Sequence, residues 1–180
     1  MNHPRPDSLV ERRDLAAAVH AAGVAGVDPR TATTRGVASR LADAASPVWI
    51  VAIGKAAVAM AEAAVTALRD RGVDPAGGVI VAPADGPAPH PALTVLVGDH
   101  PSPNARSRAA ANAVASLAEQ VAGSGTVFVL LSGGATSLVA APANGVTERD
   151  LTWMFDALLT SGADITVMNA IRKRFTRWGA

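Results

Sequence analysis

Four short stretches of this chain carry residues able to do chemistry. Only two of its sixteen basic residues are lysines, and one, Lys55, follows Gly54 where an apolar run over residues 48–53 gives way to an alanine-rich stretch. Glycine there lets the chain turn tightly, and an ammonium beside the first N–H groups of a helix suits a phosphate or a carboxylate. The plain alternative is a lysine that faces solvent at a helix start. The second stretch, Ser132-Gly133-Gly134-Ala135-Thr136-Ser137, follows an apolar run that ends at Leu131. Its paired glycines expose successive N–H groups, and Ser132, Thr136 and Ser137 add hydroxyl donors, which together make an anion-binding nest. The spacing and the lysine of a Walker A loop are absent. A tight strand-to-helix turn would need the same glycines for its dihedral angles.

The third stretch, Gly98-Asp99-His100-Pro101-Ser102-Pro103-Asn104, has its path fixed by two prolines. His100 and Asp99 suit acid–base chemistry, ligand contact or a cation. A structural role, with His100 bonded to the main chain and Asn104 capping the next helix, competes with that. The fourth stretch runs from Asn169 to Arg177 and concentrates positive charge. Asn169, Arg172 and Lys173 lie three and four residues apart, so one helix face can offer them together to a phosphate or carboxylate. Basic residues at a helix end also simply complement its dipole. His3, His20 and His90 show no ligand spacing, so no metal cage of protein side chains is expected. Magnesium arriving with a nucleotide needs few protein ligands.

Composition bounds what these residues can serve. A chain of 180 residues, 49% hydrophobic and 17% charged, has the makings of one globular domain. Its net charge of +1 gives no basic field for nucleic acid or anionic membrane, and three Phe, three Trp and no Tyr leave little surface for stacking bases. Without cysteine there is no thiolate catalysis and no disulfide, which suits a cytoplasmic location. Residues 1–14 read as polar, without the apolar core of a signal peptide, and no run is long enough to span a bilayer.

Positioning these residues requires an alternation of elements that the hydrophobic pattern supplies. Periodicity predicts helices over residues 7–23, capped at Asp7 or Ser8, and from Asp28-Pro29 through 31–44. Strands are expected over 48–53, 78–81, 93–97 and 126–131, and helices over 56–69, 104–121, 147–159 and 169–178, with Thr147 as a cap. Residues 83–91, rich in Pro, Gly and Ala, form a loop. This order predicts an α/β fold, Rossmann-like, a three-layer α/β/α arrangement around a mostly parallel sheet. In such a sheet ligands bind beyond the carboxyl ends of the strands, where three of the four stretches fall.

These stretches, in this order, resemble the N-terminal part of bacterial glycerate 2-kinases. The resemblance rests on Gly54-Lys55-Ala56-Ala57, the 98–103 loop, Ser132-Gly133-Gly134 with Ser137-Leu138 and Ala141-Pro142, and Ser161-Gly162-Ala163-Asp164-Ile165 through Asn169, Arg172 and Lys173. It covers essentially the whole chain. It implies a DUF4147-like domain over residues 1–180 that is incomplete, with the C-terminal MOFRL domain and a catalytic arginine lying in a continuation. It further implies ATP-dependent, magnesium-assisted phosphorylation of D-glycerate to 2-phosphoglycerate. Lys55 then matches the family's essential lysine. Gly54, Ser132, Gly133, Gly134, Thr136 and Ser137 would hold carboxylate or phosphate, and His100, Asn169, Arg172 and Lys173 would shape the cleft. Val167, Arg174 and Thr176 stand where the family commonly has glutamate, histidine and serine. Family members are also called hydroxypyruvate reductases, but no G-x-G-x-x-G fingerprint follows the first strand. The alternatives are a non-catalytic hydroxyacid- or phosphate-binding module and a subunit of a split enzyme. An incomplete parallel sheet would expose an edge and an apolar face, so a partner half or a homo-oligomer is expected.

Overall fold

The computed structural model describes residues 8–123 and 125–178. Among the described residues seven α-helices and four strands follow one another as α1 (Leu9–Gly26), α2 (Pro29–Arg40), β1 (Val48–Ile53), α3 (Ala57–Arg69), β2 (Gly77–Ala82), β3 (Leu93–Val97), α4 (Ala105–Val121), β4 (Thr126–Leu131), α5 (Ala135–Leu138), α6 (Glu148–Thr160) and α7 (Ile165–Phe175). The strands form a single sheet in the order β3-β2-β1-β4, and every pair is parallel.

Strand composition explains the layering. β1 and β2 lie in the middle and are apolar on both faces, as a strand covered by helices on both sides must be. The period of two sends Ile50 and Ala52 to one face, where they meet Val37, Leu41, Ala61, Ala64 and Leu68 from the α2–α3 layer. Val51 and Ile53 go to the other face, where Ala110, Leu117 and Leu138 of α4 and α5 receive them. Small side chains at Ala57, Ala61 and Ala64 bring α3 close to the sheet, and all three are fully buried. The three-layer expectation holds. A third, smaller cluster joins α6 to α7 around Phe155, with Leu151, Met154, Leu158 and Ile171.

Capping sets several boundaries. Ser8 and Glu11 form a capping box at α1, and Asp7 lies outside the described residues. Asp28 caps α2 with Pro29 at its first position, Asn104 caps α4, and Thr147 and Asp150 form a box at α6. Some expected boundaries shift. α1 continues to Gly26, and the segment expected as one helix to residue 44 gives way after Arg40 to a 3-10 turn, Leu41–Asp43. α7 begins at Ile165 rather than 169, because the Asp164 carboxylate accepts from the N–H groups of Thr166 and Val167, and it ends at Phe175. The 132–137 turn contains α5, a single helical turn. β2 reaches β3 through residues 83–92 without a helix, an uncommon connection between parallel strands.

β4 is an edge strand. Val129 and Leu131 are 58% and 60% exposed, and with Val127, Val114, Leu117 and Val121 they line an apolar groove of about 550 Å³ between β4 and α4. No residue of α1 is buried. Among the described residues no helix is long and apolar enough to cross a membrane.

Candidate functional site

The sheet order reverses at β1: the chain leaves it through α3 towards β2 and β3 on one side, while β4 pairs on the other. The carboxyl ends of β1 and β4 therefore border the topological switch point, where an open parallel sheet forms its crevice. Gly54-Lys55-Ala56 and Ser132-Gly133-Gly134 leave the sheet there side by side. The Gly54 N–H donates to the Val81 carbonyl at 3.0 Å and the Lys55 N–H to the Gly133 carbonyl at 2.9 Å. The Ala56 N–H donates to Ser132 Oγ at 3.0 Å, and the Ser132 N–H to the Ile53 carbonyl at 2.9 Å. Gly54 has φ +127°, a conformation open to glycine and strained for other residues.

The third stretch arrives from β3. The Gly98 N–H donates to the Ala82 carbonyl at 3.0 Å, which continues the β2–β3 ladder by one rung. Buried Ser107 then holds the loop, accepting from the Asp99 N–H at 2.9 Å and donating to the Asp99 carbonyl at 3.3 Å. The Asp99 carboxylate accepts from the N–H groups of Arg106 and Ser107 at the start of α4 and from both Nε and Nη2 of Arg106 at 2.7 Å. Asp99 is thus engaged structurally and is not the acid–base or cation partner of His100 that its place in the chain suggests. His100 projects to Gly134 instead. The position of a β-carbon on Gly134, whose φ is +92°, lies 3.1 Å from His100 Cδ2, 3.3 Å from His100 Nε2 and 3.6 Å from Lys55 Cε. Lys55 and His100 therefore converge over the glycine turn, and a side chain at position 134 would fill the space between them.

The cluster's charge is positive and uncompensated. Lys55 is exposed and forms no salt bridge among the described residues. The N–H groups of Gly133 and Gly134 likewise find no main-chain acceptor among them. An exposed ammonium, an imidazole and two N–H groups fit an anion of phosphate or carboxylate size. The hydroxyls of the turn contribute differently from expectation. Ser132 Oγ donates to the Ile53 carbonyl at 3.4 Å while accepting from Ala56, and buried Ser137 donates to the Gly134 carbonyl at 3.2 Å. Thr136 lines the apolar groove with Lys173. Among the described residues no group of three or more His, Cys, Asp or Glu is placed to hold a metal ion.

The α7 residues form a second group, which the structure divides. Arg172 Nη1 reaches Asn169 Oδ1 at 3.5 Å, and its guanidinium stacks on Phe155 at 4.7 Å from the ring centre. Arg172 Nε is buried without a hydrogen-bond partner among the described residues, and desolvation lowers the guanidinium pKa. Lys173 turns to the groove instead. The segment after α7 is fixed by an isolated antiparallel bridge between Pro142 and Thr176, with main-chain bonds from Ala143 N–H to Phe175 and from Arg177 N–H to Ala141, both 2.9 Å. The Asp99–Arg106 pair and the capping role of Asp164 escape sequence reasoning. Asp164, just after Gly162 and ahead of an apolar periodic run, carries a legible N-cap signal; Asp99 carries none, because its partner lies across a loop.

A family model described as Domain of unknown function (DUF4147) matches residues 15–180. The chain is 35% identical over 133 residues to the D-glycerate 2-kinase of Thermotoga maritima, a match covering 72% of this chain and 31% of that protein. It is also 35% identical over 127 residues to an Agrobacterium vitis protein with a provisional hydroxypyruvate reductase name, covering 71% of this chain and 32% of that one. The crystal structure of a glycerate kinase from Thermotoga maritima is 30% identical and superposes with a TM-score of 0.75 over 96% of this chain and 40% of that chain. The chain spans about a third of the length of the curated relatives it matches.

Proposed function

We propose that this chain, which belongs to the DUF4147 family, carries the anion-holding part of a glycerate 2-kinase site. The observation that carries the reading is the convergence of Lys55 and His100 on Gly134 at the switch point of the sheet. Phosphoryl transfer asks of a protein mainly positioning and charge stabilisation. The Lys55 ammonium offsets the charge of a phosphoryl group or of the glycerate carboxylate, and the N–H groups of Gly133 and Gly134 take oxygens of the same anion. His100, beside them, hydrogen-bonds the hydroxyacid. ATP, when bound, supplies the phosphoryl group that the 2-hydroxyl of D-glycerate accepts. Ser132, Ser137 and Gly54 shape the turn, Thr136 and Lys173 line the neighbouring apolar groove, and Asn169 with Arg172, which stacks on Phe155, forms a separate group on α7. Magnesium is assigned to no residue among those described. A cytoplasmic setting goes with this reading.

The segment after β1 runs Gly-Lys-Ala-Ala rather than G-x-G-x-x-G, which favours the kinase over a nicotinamide-dependent hydroxypyruvate reductase. A second reading, a hydroxyacid- or phosphate-binding subunit that completes its site with a partner chain, is favoured by the open apolar face of β4.

The test is a coupled assay of ATP-dependent phosphorylation of D-glycerate with magnesium, run on this chain alone and on this chain joined to the remaining segment of a relative. Phosphorylation in either form that disappears with Lys55→Ala supports the kinase. Binding of D-glycerate without transfer in both forms supports the second reading. Reduction of hydroxypyruvate with no transfer overturns the kinase.

A further inference from the structure

We propose that Ser132 is a positioning residue for Lys55, holding the lysine's main chain rather than touching substrate. The inference rests on the reading above that Lys55 meets the anion. The two peptide units that share the Lys55 Cα are each tied to the 132–133 segment: the Lys55 N–H to the Gly133 carbonyl at 2.9 Å, and the Ala56 N–H to Ser132 Oγ at 3.0 Å. Peptide units are planar, so fixing one on each side fixes φ and ψ of Lys55 and with them the direction of its Cα–Cβ bond. Ser132 is anchored in turn. Its N–H extends the β1–β4 ladder to the Ile53 carbonyl at 2.9 Å, and its hydroxyl proton points to the same carbonyl at 3.4 Å, which leaves a lone pair for Ala56. The nearest atom to the place of a β-carbon on Gly54 is this hydroxyl, so the glycine makes the room that the clamp occupies. The Ala56 N–H is one of the four donors that α3 cannot satisfy from within itself, and Ser132 takes it from across the sheet.

With only two lysines in the chain, protein labelled with carbon-13 lysine gives two ε-methylene signals, and Lys173→Arg assigns them. In Ser132→Ala the Lys55 signal should move towards the free-lysine position while the Lys173 signal stays, and Ser132→Thr, which keeps the acceptor, should retain the wild-type Lys55 signal. Ala56 amide exchange, protected in the wild type, should speed up by about tenfold in Ser132→Ala, the worth of one hydrogen bond. An unchanged Lys55 signal in folded Ser132→Ala overturns the proposal, and so does an unprotected Ala56 amide in the wild type. Should Ser132→Ala fail to fold, wild-type exchange at Ala56 and the Ser132→Thr signal decide. Adding D-glycerate, with and without ATP and magnesium, to the wild type separates the two ideas: a Lys55 signal that ignores both removes the kinase reading, while the dependence of the resting signal on Ser132 still decides the clamp.

Discussion

A β-carbon on Gly54 would lie 2.6 Å from the carbonyl oxygen of Ser132, nearer than real side chains approach, and nearer still to its hydroxyl. The two residues sit 78 positions apart in sequence, 132 minus 54, yet they define one junction between the first and last strands. Gly54→Ala adds this collision to a backbone at φ +127°, and besides the Ser132 hydroxyl two of the crowding atoms, the Ser132 carbonyl carbon and oxygen, are main chain that cannot swing away. The expected loss is about 3 kcal/mol of unfolding free energy, combining backbone strain and overpacking. Denaturant unfolding measures it, and a midpoint equal to that of the wild type would refute the close packing of this junction.

Lys55 should behave in the opposite way, mattering to chemistry and little to stability. It is exposed and without an ion-pair partner among the described residues, so Lys55→Ala should change unfolding free energy by less than about 0.5 kcal/mol. Phosphorylation of D-glycerate, in whichever form supports it, should fall by at least about a hundredfold, the scale for removing one charge-stabilising group. Lys55→Arg should recover little, since a planar guanidinium does not replace a compact ammonium at a glycine turn. Activity retained in the alanine variant would take Lys55 out of the reaction.

Asp99 makes the converse prediction. Its carboxylate receives the N–H groups of Arg106 and Ser107 in the first turn of α4 and the Arg106 side chain, so Asp99→Ala removes helix-end hydrogen bonds and a two-pronged ion pair together. A cost of about 2 kcal/mol is expected from the lost helix-end hydrogen bonds and the unpaired donors. Any loss of activity should follow the loss of structure. A stable, folded Asp99→Ala with activity abolished would instead return Asp99 to the chemistry.

Acid should loosen α7 at its first turn. Hydrogen bonds from the N–H groups of Val167 and Thr166 hold the Asp164 carboxyl below its ordinary value of 3.8. A lowered folded-state pKa means that the cap stabilises fully at pH above the unfolded value and is lost as pH falls through the folded one. Asp28 at the start of α2, held down first by the Thr31 hydroxyl and then by its N–H, follows the same sign. Amide exchange at Thr166 and Val167 should therefore accelerate, beyond the intrinsic pH effect, only below about the ordinary carboxylate range. Asp164→Asn should remove that step, and a step that persists in the asparagine variant would assign it elsewhere.

The groove along β4 should take up a hydrophobic dye. Val129 and Leu131 together with α4 present a continuous apolar surface. Leu131→Glu should cut dye binding and self-association at once while changing unfolding free energy by less than about 0.5 kcal/mol, because the side chain is mostly exposed. Dye binding equal to that of the wild type would show that the groove is not the apolar surface reached from solvent.

All four strands were legible to within a residue at either end, because apolar runs such as 48–53 and 127–131 between turn residues have few other readings. The caps at Asp28, Asn104 and Thr147 were legible for a similar reason: a side chain that bonds to an N–H one to three residues ahead leaves its mark in the local order of residue types. The same locality let the glycine turn at 133–134 and the Gly54-Lys55 pair be singled out as sites. What the sequence could not show was their meeting. That β4 returns beside β1, that Asp99 turns back to Arg106 while His100 goes on to Gly134, that Lys173 leaves Arg172 for the groove, and that Ser132 gives its hydroxyl to Ala56 all depend on which faces are buried across the sheet. Residue type and spacing act over a turn or two of chain, so they determined the elements and the candidate groups. The partners of those groups lie beyond that reach, seven residues on for Asp99 and Arg106 and 76 for Ala56 and Ser132, and only the burial of both sheet faces brings them together.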